Sequence, residues 1–316
     1  MYATLIIPTF NEERHIGSLL EQLVGQEPVR VLEILVADGG STDRTREIVG
    51  GYVDRDGRVR LIDNPQRIQA SGINRAAAEA DKRAEVLIRI DAHAAYPPDY
   101  VSALITEMEQ RDCESVVVRL RTVGHTCFQF AVASVCNSNV GTGGSAHRVG
   151  GIPRFVDHGH HAAFRRTAFD GIGGYDPTFA ANEDAEFDLR LRAVGGRVWF
   201  ASNIVVDYVP RSSIAALARQ YYRYGIGRAK NFRKHGGLRL RQLVPPTFLL
   251  LLALSVVLAF PFPPLLILPV AYLCLVTGAS INLWWKTSER CALASVLVIP
   301  TIHLSWASGF WRGLLR

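Results

Sequence analysis

From Tyr208 to Ser288 the sequence contains no aspartate or glutamate, although acids and bases interleave from Met1 to about Asp207. The formal charge of +6 therefore collects in one stretch. Between Arg211 and Arg241 lie Arg219, Arg223, Arg228, Lys230, Arg233, Lys234 and Arg239, directly before a long apolar tail. That pattern suits an anionic membrane surface and a phosphorylated ligand and argues against a nucleic-acid partner. Cysteine is also sparse. Cys113, Cys127, Cys136, Cys274 and Cys291 are odd in number and include no C-x-x-C pair, so neither a zinc site nor a disulfide framework is expected, and a reducing cytoplasm fits. No Walker A sequence occurs, and Pro8 to Arg14 has no glycine, which counts against a nicotinamide-type G-x-G-x-x-G turn after the first strand. The N-terminus lacks a basic segment followed by an apolar h-region and a small-residue cleavage site, so no cleaved signal is expected.

What is present alternates. Tyr2 to Ile7 reads as a buried strand ended by Pro8, and Asn11 to Val24 as a helix with Ile16, Leu19, Leu20 and Leu23 on one face. Val31 to Ala37 is a second strand, broken at Asp38-Gly39-Gly40, after which Ser41 or Thr42 is placed to cap a helix. Arg58 to Ile62 is a third strand, Ala70 to Ala80 a helix, and Glu85 to Ile90 another strand. Strands alternating with helices predict an α/β domain with a mostly parallel, Rossmann-like sheet.

The stretch Leu87 to Asp99, LIRIDAHAAYPPD, carries the first chemical signal. An apolar run ending in Asp91 puts a carboxylate at the carboxyl edge of the sheet, where open α/β sheets bind ligands. Asp91 and His93, at i and i+2, project from the same side of an extended segment and can both reach one divalent ion carrying a diphosphate. A strand-end turn whose Asp accepts backbone N–H bonds would look the same in isolation.

Several spaced motifs together resemble the inverting family 2 glycosyltransferases, which have a GT-A nucleotide-diphospho-sugar transferase fold. IIPTFNEE at Ile6 to Glu13 is similar to that family's first strand and loop, and VADGGSTDRT at Val36 to Thr45 to its second. NPQRIQASGINRA, Asn64 to Ala76, resembles the loop and helix with the family's Asn, and RIDAHA stands where the family has D-x-D. Ala163 to Phe200 resembles the acceptor half, with its acidic pair at Glu183 and Asp184. The resemblance implies donor contacts at Pro8, Thr9, Glu12, Asp38, Asn74 and Asp91, with Asp38 on uracil, and a divalent metal, Mn2+ or Mg2+, on Asp91 and His93. It implies Asp184 as the base, with Glu183 beside it, and acceptor contacts at His160, His161 and Gly174. His93 departs from the usual second Asp, and a softer imidazole favours Mn2+ over Mg2+. A zinc reading of His158, His160 and His161 lacks further ligands at suitable spacing.

Physical chemistry agrees with these roles. A divalent ion can neutralise a diphosphate leaving group. The acceptor hydroxyl needs a base, and acids that open a helix, as in Asn182-Glu183-Asp184, lie at a positive helix end that keeps them ionised.

Arg219 to Gly225, RQYYRYG, resembles the Q-x-x-R-W segment of membrane polysaccharide synthases, which implies Gln220 and Arg223 over the donor diphosphate. Three apolar runs follow, Val244 to Phe260, Pro264 to Trp284 and Cys291 to Phe310, each long enough to span a bilayer. Positive residues before the first run, with Lys286 and Arg290 after the second, put both on the cytoplasmic side. The third run either crosses, against the positive-inside tendency of Arg312 and Arg316, or is re-entrant or interfacial.

The domain organisation expected is a cytoplasmic GT-A domain at 1–210, a basic amphipathic interface segment at 211–242 and a transmembrane region of two to three helices at 243–316. The function expected is transfer of a sugar, taken to be glucose, from a UDP-sugar to a polyprenyl-diphosphate-linked oligosaccharide in bacterial exopolysaccharide synthesis. The cell (inner) membrane is the expected site, beside other exopolysaccharide assembly enzymes. The rival readings are a polyprenyl-phosphate monosaccharide transferase and a non-catalytic nucleotide-sugar-binding subunit of a polymer synthase.

Overall fold

The computed structural model describes residues 1–25, 30–237 and 240–316. Arg239 of the basic stretch lies outside the described residues. The first elements are β1 (Ala3–Thr9), α1 (Ile16–Val24), β2 (Val31–Asp38), α2 (Thr45–Val53), β3 (Val59–Asp63), α3 (Gln69–Glu79), β4 (Val86–Arg89), β5 (Ala94–Ala95) and α4 (Tyr100–Gln110). There follow β6 (Ser115–Thr122), the short helices α5 (Cys127–Cys136), α6 (Asn139–Thr142) and α7 (Ala146–Val149), β7 (Arg154–Val156), β8 (His160–Arg165), α8 (Arg166–Gly171), α9 (Glu183–Ala193) and β9 (Val198–Tyr208). The chain continues through α10 (Ile214–His235), α11 (Leu240–Leu258), α12 (Ile267–Thr287) and α13 (Ser295–Leu314).

Two compact units result, one of residues 1–120 and 150–208, the other of residues 121–149 and 209–316. The sequence reading assigned residues 121–149 to the first domain, whereas in the structure they cluster with the C-terminal helices.

The first unit is built on a mixed sheet in the order β3-β2-β1-β4-β8-β6-β9-β5, with β7 against β9. β1, β2, β3 and β4 pair in parallel, as their connecting helices require. From β8 onward the pairing becomes antiparallel, at β4 with β8 and at β6 with β8. The buried runs of β1, β2 and β4 pack with the apolar faces of α1 and α4 in a single core. One expected cap differs. The α2 helix starts at Thr45, because the Ser41 hydroxyl donates to Asp38 and the Thr45 amide to the Asp43 carboxylate.

In the second unit α10 runs against α13 at close range. A Cβ at Gly225 would stand 2.1 Å from the Trp306 carbonyl oxygen, and one at Gly309 would stand 2.0 Å from that of Tyr222. The C-terminal part of the third apolar run, Trp306 to Phe310, therefore lies directly against the helix that carries the basic residues. Among the described residues two segments are long and apolar enough to cross a membrane, Pro263–Thr287 and Arg290–Leu314; Gln242–Leu258 is apolar but shorter. Ile267, Val270, Leu273 and Leu275 on α12 are exposed, a surface that calls for a nonaqueous environment.

Against expectation, Cys127 and Cys291 form a disulfide, with Cα atoms 5.0 Å apart and a sequence separation of 164. Packing of α5 against the turn before α13 brings them together, which cysteine spacing alone does not encode. Cys113 and Cys136 are buried thiols and Cys274 is exposed.

Candidate active site

The site is joined by a residue the motifs did not single out. Arg89 interrupts the apolar run of β4 and is buried, so its charge needs partners inside the protein. It finds them on both sides. Its Nε donates to Asp91 Oδ1 at 3.1 Å, and its Nη1 donates to Asp184 Oδ1 at 2.6 Å, with Glu183 Oε1 at 3.6 Å. One guanidinium thus ties the acid at the end of β4 to the acidic pair at the start of α9. An Arg between Ile88 and Ile90, two residues before an acid, was the available signal.

The two neighbouring acids of α9 are driven apart. Burial pushes both carboxyls up, and for Glu183 the adjacent Asp184 adds to that shift. For Asp184 the Arg89 guanidinium, His161, His160 and the Tyr175 hydroxyl outweigh burial and hold it well below the usual carboxylate range. Asp184 is thus the more acidic member of the pair.

Three predicted site residues have partners other than those expected. Asn74 clamps the backbone of Tyr175, accepting its N–H at 2.8 Å and donating to its carbonyl at 2.7 Å. Gly174 has φ +66°, and a Cβ there would stand 2.5 Å from Asn74 Oδ1, so its part is backbone geometry. His161 is 1 % exposed and packs between Tyr175 and Asp188, out of reach of an acceptor. His160 differs, with Nε2 3.8 Å from Asp91 Oδ2 at the site itself. Tyr175 and Asp188 escaped the sequence reading. Asp188 could have been found from its i+4 spacing to Asp184, which puts both on one helix face.

The loops after β1 and β2 interlock at the carboxyl ends of the parallel strands, where such sheets bind ligands. Thr42 N–H donates to the Asn11 side chain, Asn11 N–H to Ser41 and Glu12 N–H to Thr45. Pro8 and Thr9 close β1, and the Thr9 carbonyl accepts from Gly39. Asp38 accepts from the Gly40 and Ser41 amides, the Ser41 hydroxyl and Arg46, which also pairs with Asp63. Burial would raise its carboxyl, but these bonds from Ser41, Arg46 and Gly40 lower it. Glu12 Oε1 lies 3.1 Å from His93 Nδ1, joining the β1 loop to the segment after β4.

Among the described residues no three His, Cys, Asp or Glu side chains gather as a ready metal cage. Asp91 Oδ1 accepts from Arg89 and Gln69, and His93 Nδ1 lies against Glu12; a Mg2+- or Mn2+-type ion takes one or two protein ligands and completes its shell from substrate phosphates and water. Gln220 and Arg223 lie on α10 in the second unit, where Gln220 Nε2 donates to the Tyr224 hydroxyl at 3.0 Å.

The chain is 41% identical over 317 residues, covering 98% of this chain and 94% of the relative, to the succinoglycan biosynthesis protein ExoA of Rhizobium meliloti (strain 1021). It is 27% identical, covering 100% of itself and 98% of the relative, to a dolichyl N-acetyl-alpha-D-glucosaminyl phosphate 3-beta-D-2,3-diacetamido-2,3-dideoxy-beta-D-glucuronosyltransferase of Methanococcus voltae. In fold it is similar to the mannosyltransferase PcManGT from Pyrobaculum calidifontis, solved with GDP-Man and Mn2+, with a TM-score of 0.61 and 19% identity over 99% of this chain and 86% of that one. Residues 4–173 match the model of "Glycosyl transferase family 2". With the strand order, the β4 acid and the α9 acidic pair all in place, the chain belongs to glycosyl transferase family 2.

Proposed function

We propose that this enzyme transfers one sugar, with inversion, from a UDP-sugar to a polyprenyl-diphosphate-linked oligosaccharide in the assembly of a bacterial exopolysaccharide, and that the sugar is glucose. The observation that carries the reading is the Arg89 bridge, which holds a donor-side acid and an ionised acceptor-side acid a single guanidinium apart. The polymer is suggested by the succinoglycan relative, and the lipid-linked saccharide acceptor by the dolichyl-linked substrate in the name of the archaeal one.

Asp184 takes the proton of the acceptor hydroxyl while that oxygen bonds to the anomeric carbon and the bond to the diphosphate breaks. A divalent ion on Asp91 and His93, when bound, offsets the charge growing on the diphosphate. Pro8, Thr9, Glu12 and Asp38 shape the nucleotide side and His160 meets the acceptor; Gln220 and Arg223 are proposed as diphosphate contacts on the Q-x-x-R-W resemblance alone. Residues 1–120 and 150–208 form the catalytic domain on the cytoplasmic side of the inner membrane, 211–242 the interface segment and 243–316 the anchor, with α12 spanning. The exposed apolar surface of α12 supports the anchoring.

Release of UDP by the purified full chain, offered a panel of nucleotide sugars and lipid-linked acceptors, tests the substrates. Release only with UDP-glucose and a saccharide-bearing lipid diphosphate is expected. Transfer from GDP-mannose alone, or to bare polyprenyl phosphate, would overturn the donor or the acceptor. Asp184→Asn should lower turnover by about 10²- to 10⁴-fold with donor affinity retained; unchanged turnover would remove Asp184 from the role.

A further inference from the structure

His161 and Asp188 form a buried charged pair that the steps above do not use. Both side chains are fully buried, and His161 Nε2 stands 2.9 Å from Asp188 Oδ1. The other Asp188 oxygen accepts the Gly159 N–H at 3.3 Å. On its other side His161 Nδ1 lies 2.6 Å from the Tyr175 hydroxyl and 3.3 Å from Asp184 Oδ1, and that hydroxyl donates to Asp184 at 3.3 Å. If Tyr175 gives its proton to Asp184, Nδ1 must give one to Tyr175, and Nε2 faces a carboxylate that can only accept. Both ring nitrogens then carry hydrogen, which is the imidazolium.

The surroundings agree. α9 presents Asp184 and Asp188 to the ring, β4 presents Arg89, and the turn before α9 presents Tyr175. The rings of Phe164 and Phe187 also pack against it. A neutral His161 would remove the cation that faces Asp188 in this buried site, a costly change. Burial works against the charged ring, but Asp188 and Asp184 outweigh both it and Arg89 and raise its affinity for the proton.

We propose that His161 is a positioning residue for the base: clamped as an imidazolium between Asp188 and Asp184, it keeps the Asp184 carboxylate ionised and fixed through the Tyr175 hydroxyl. Arg89 divides its charge between Asp91 and the acidic pair, whereas His161 faces only the acids of α9, so it is the cation dedicated to the acceptor half. The inference rests on the reading of Asp184 as the base.

The test uses the full chain with His161→Asn, Asp188→Asn and the double variant, beside Asp184→Asn. In the wild type, nitrogen NMR of 15N-histidine protein at pH 7 should show an imidazolium that is absent from His161→Asn. His161→Asn should lower kcat about tenfold or more with both KM values little changed. Loss of a neighbouring cation raises a carboxyl's pKa, so the acid limb of its pH profile should move to higher pH. The double variant removes both buried charges and should melt near the wild type while kcat stays low. A neutral His161 at pH 7, an unmoved acid limb, a raised acceptor KM with kcat intact, or recovery of kcat together with Tm in the double variant would each overturn the proposal. Failure of the base reading is separate: it shows as full turnover in Asp184→Asn, whatever the histidine signal.

Discussion

The two halves of the sheet handle charge in opposite ways. In the parallel half, Asp38 and Asp43 sit in loops and spend their oxygens on nearby amides and hydroxyls, shaping the chain around them. In the antiparallel half, Glu183, Asp184, Asp188 and His161 lie against a buried arginine and one another, with few backbone donors to share. An acid satisfied by its own loop is locally stable and tolerates change elsewhere. One satisfied by a remote cation depends on the whole fold, and its protonation is set by that cation.

Removing the arginine that joins the halves should produce the largest effect. Arg89→Leu leaves three acids facing one another in a buried site, and breaking such a network typically costs about 3–5 kcal/mol. A large fall in the melting temperature, with loss of UDP release, is expected. A variant that melts with the wild type would show the halves to be held together by something else.

Gly174→Ala should come next. A side chain at φ +66° is strained, and its Cβ would press on Asn74 Oδ1. A loss of about 1–3 kcal/mol is expected, read by denaturant titration. Asn74→Ala in the same background should recover part of it, since the obstructing atom is then gone; a full loss in the double variant would place the strain in the backbone alone.

How much of this was legible depends on the kind of interaction. The alternation of apolar runs and helical spacings specified β1 to β4, because buried parallel strands and amphipathic helices leave periodic signatures. The antiparallel return through β8 left no such mark, as pairing partners far apart in sequence, such as Ile88 and Ala163 or Val118 and His160, are chosen by tertiary packing. Asp91, Glu183 and Asp184 were visible as motifs. Arg89 and Tyr175 were not, since their roles arise only when β4 meets α9. His161 was visible as a polar residue but assigned to the acceptor, because sequence does not say which of two adjacent strand residues faces inward. The Cys127–Cys291 link was illegible for the same reason of distance.

A smaller effect is expected at the donor side, where His93 touches Glu12. His93→Ala should raise the Mn2+ needed for half-maximal activity on the order of tenfold, with donor affinity at saturating metal retained. An unchanged Mn2+ titration would leave Asp91 and the substrate to hold the ion.

The smallest effect belongs to Arg46. Its guanidinium reaches Asp38 and Asp63, yet it is itself 41% exposed, and Asp38 keeps its amide and hydroxyl donors without it. Such partly exposed pairs contribute about 0–1 kcal/mol. Arg46→Ala should therefore lower stability by no more than that at pH 7, in clear contrast to Arg89→Leu. The contribution has a pH signature. The folded-state pKa of Asp38 is depressed, its burial outweighed by Ser41, Arg46 and Gly40, so the stabilisation is present above the ordinary carboxylate value and is lost as pH falls through the depressed one. Denaturation midpoints of the wild type and Arg46→Ala should differ slightly at neutral pH and converge in acid. A difference that equals the loss in Arg89→Leu would mean the parallel half also relies on a remote cation, and the contrast between the halves would fail; one that persists at low pH would mean Arg46 acts through contacts other than its ion pairs.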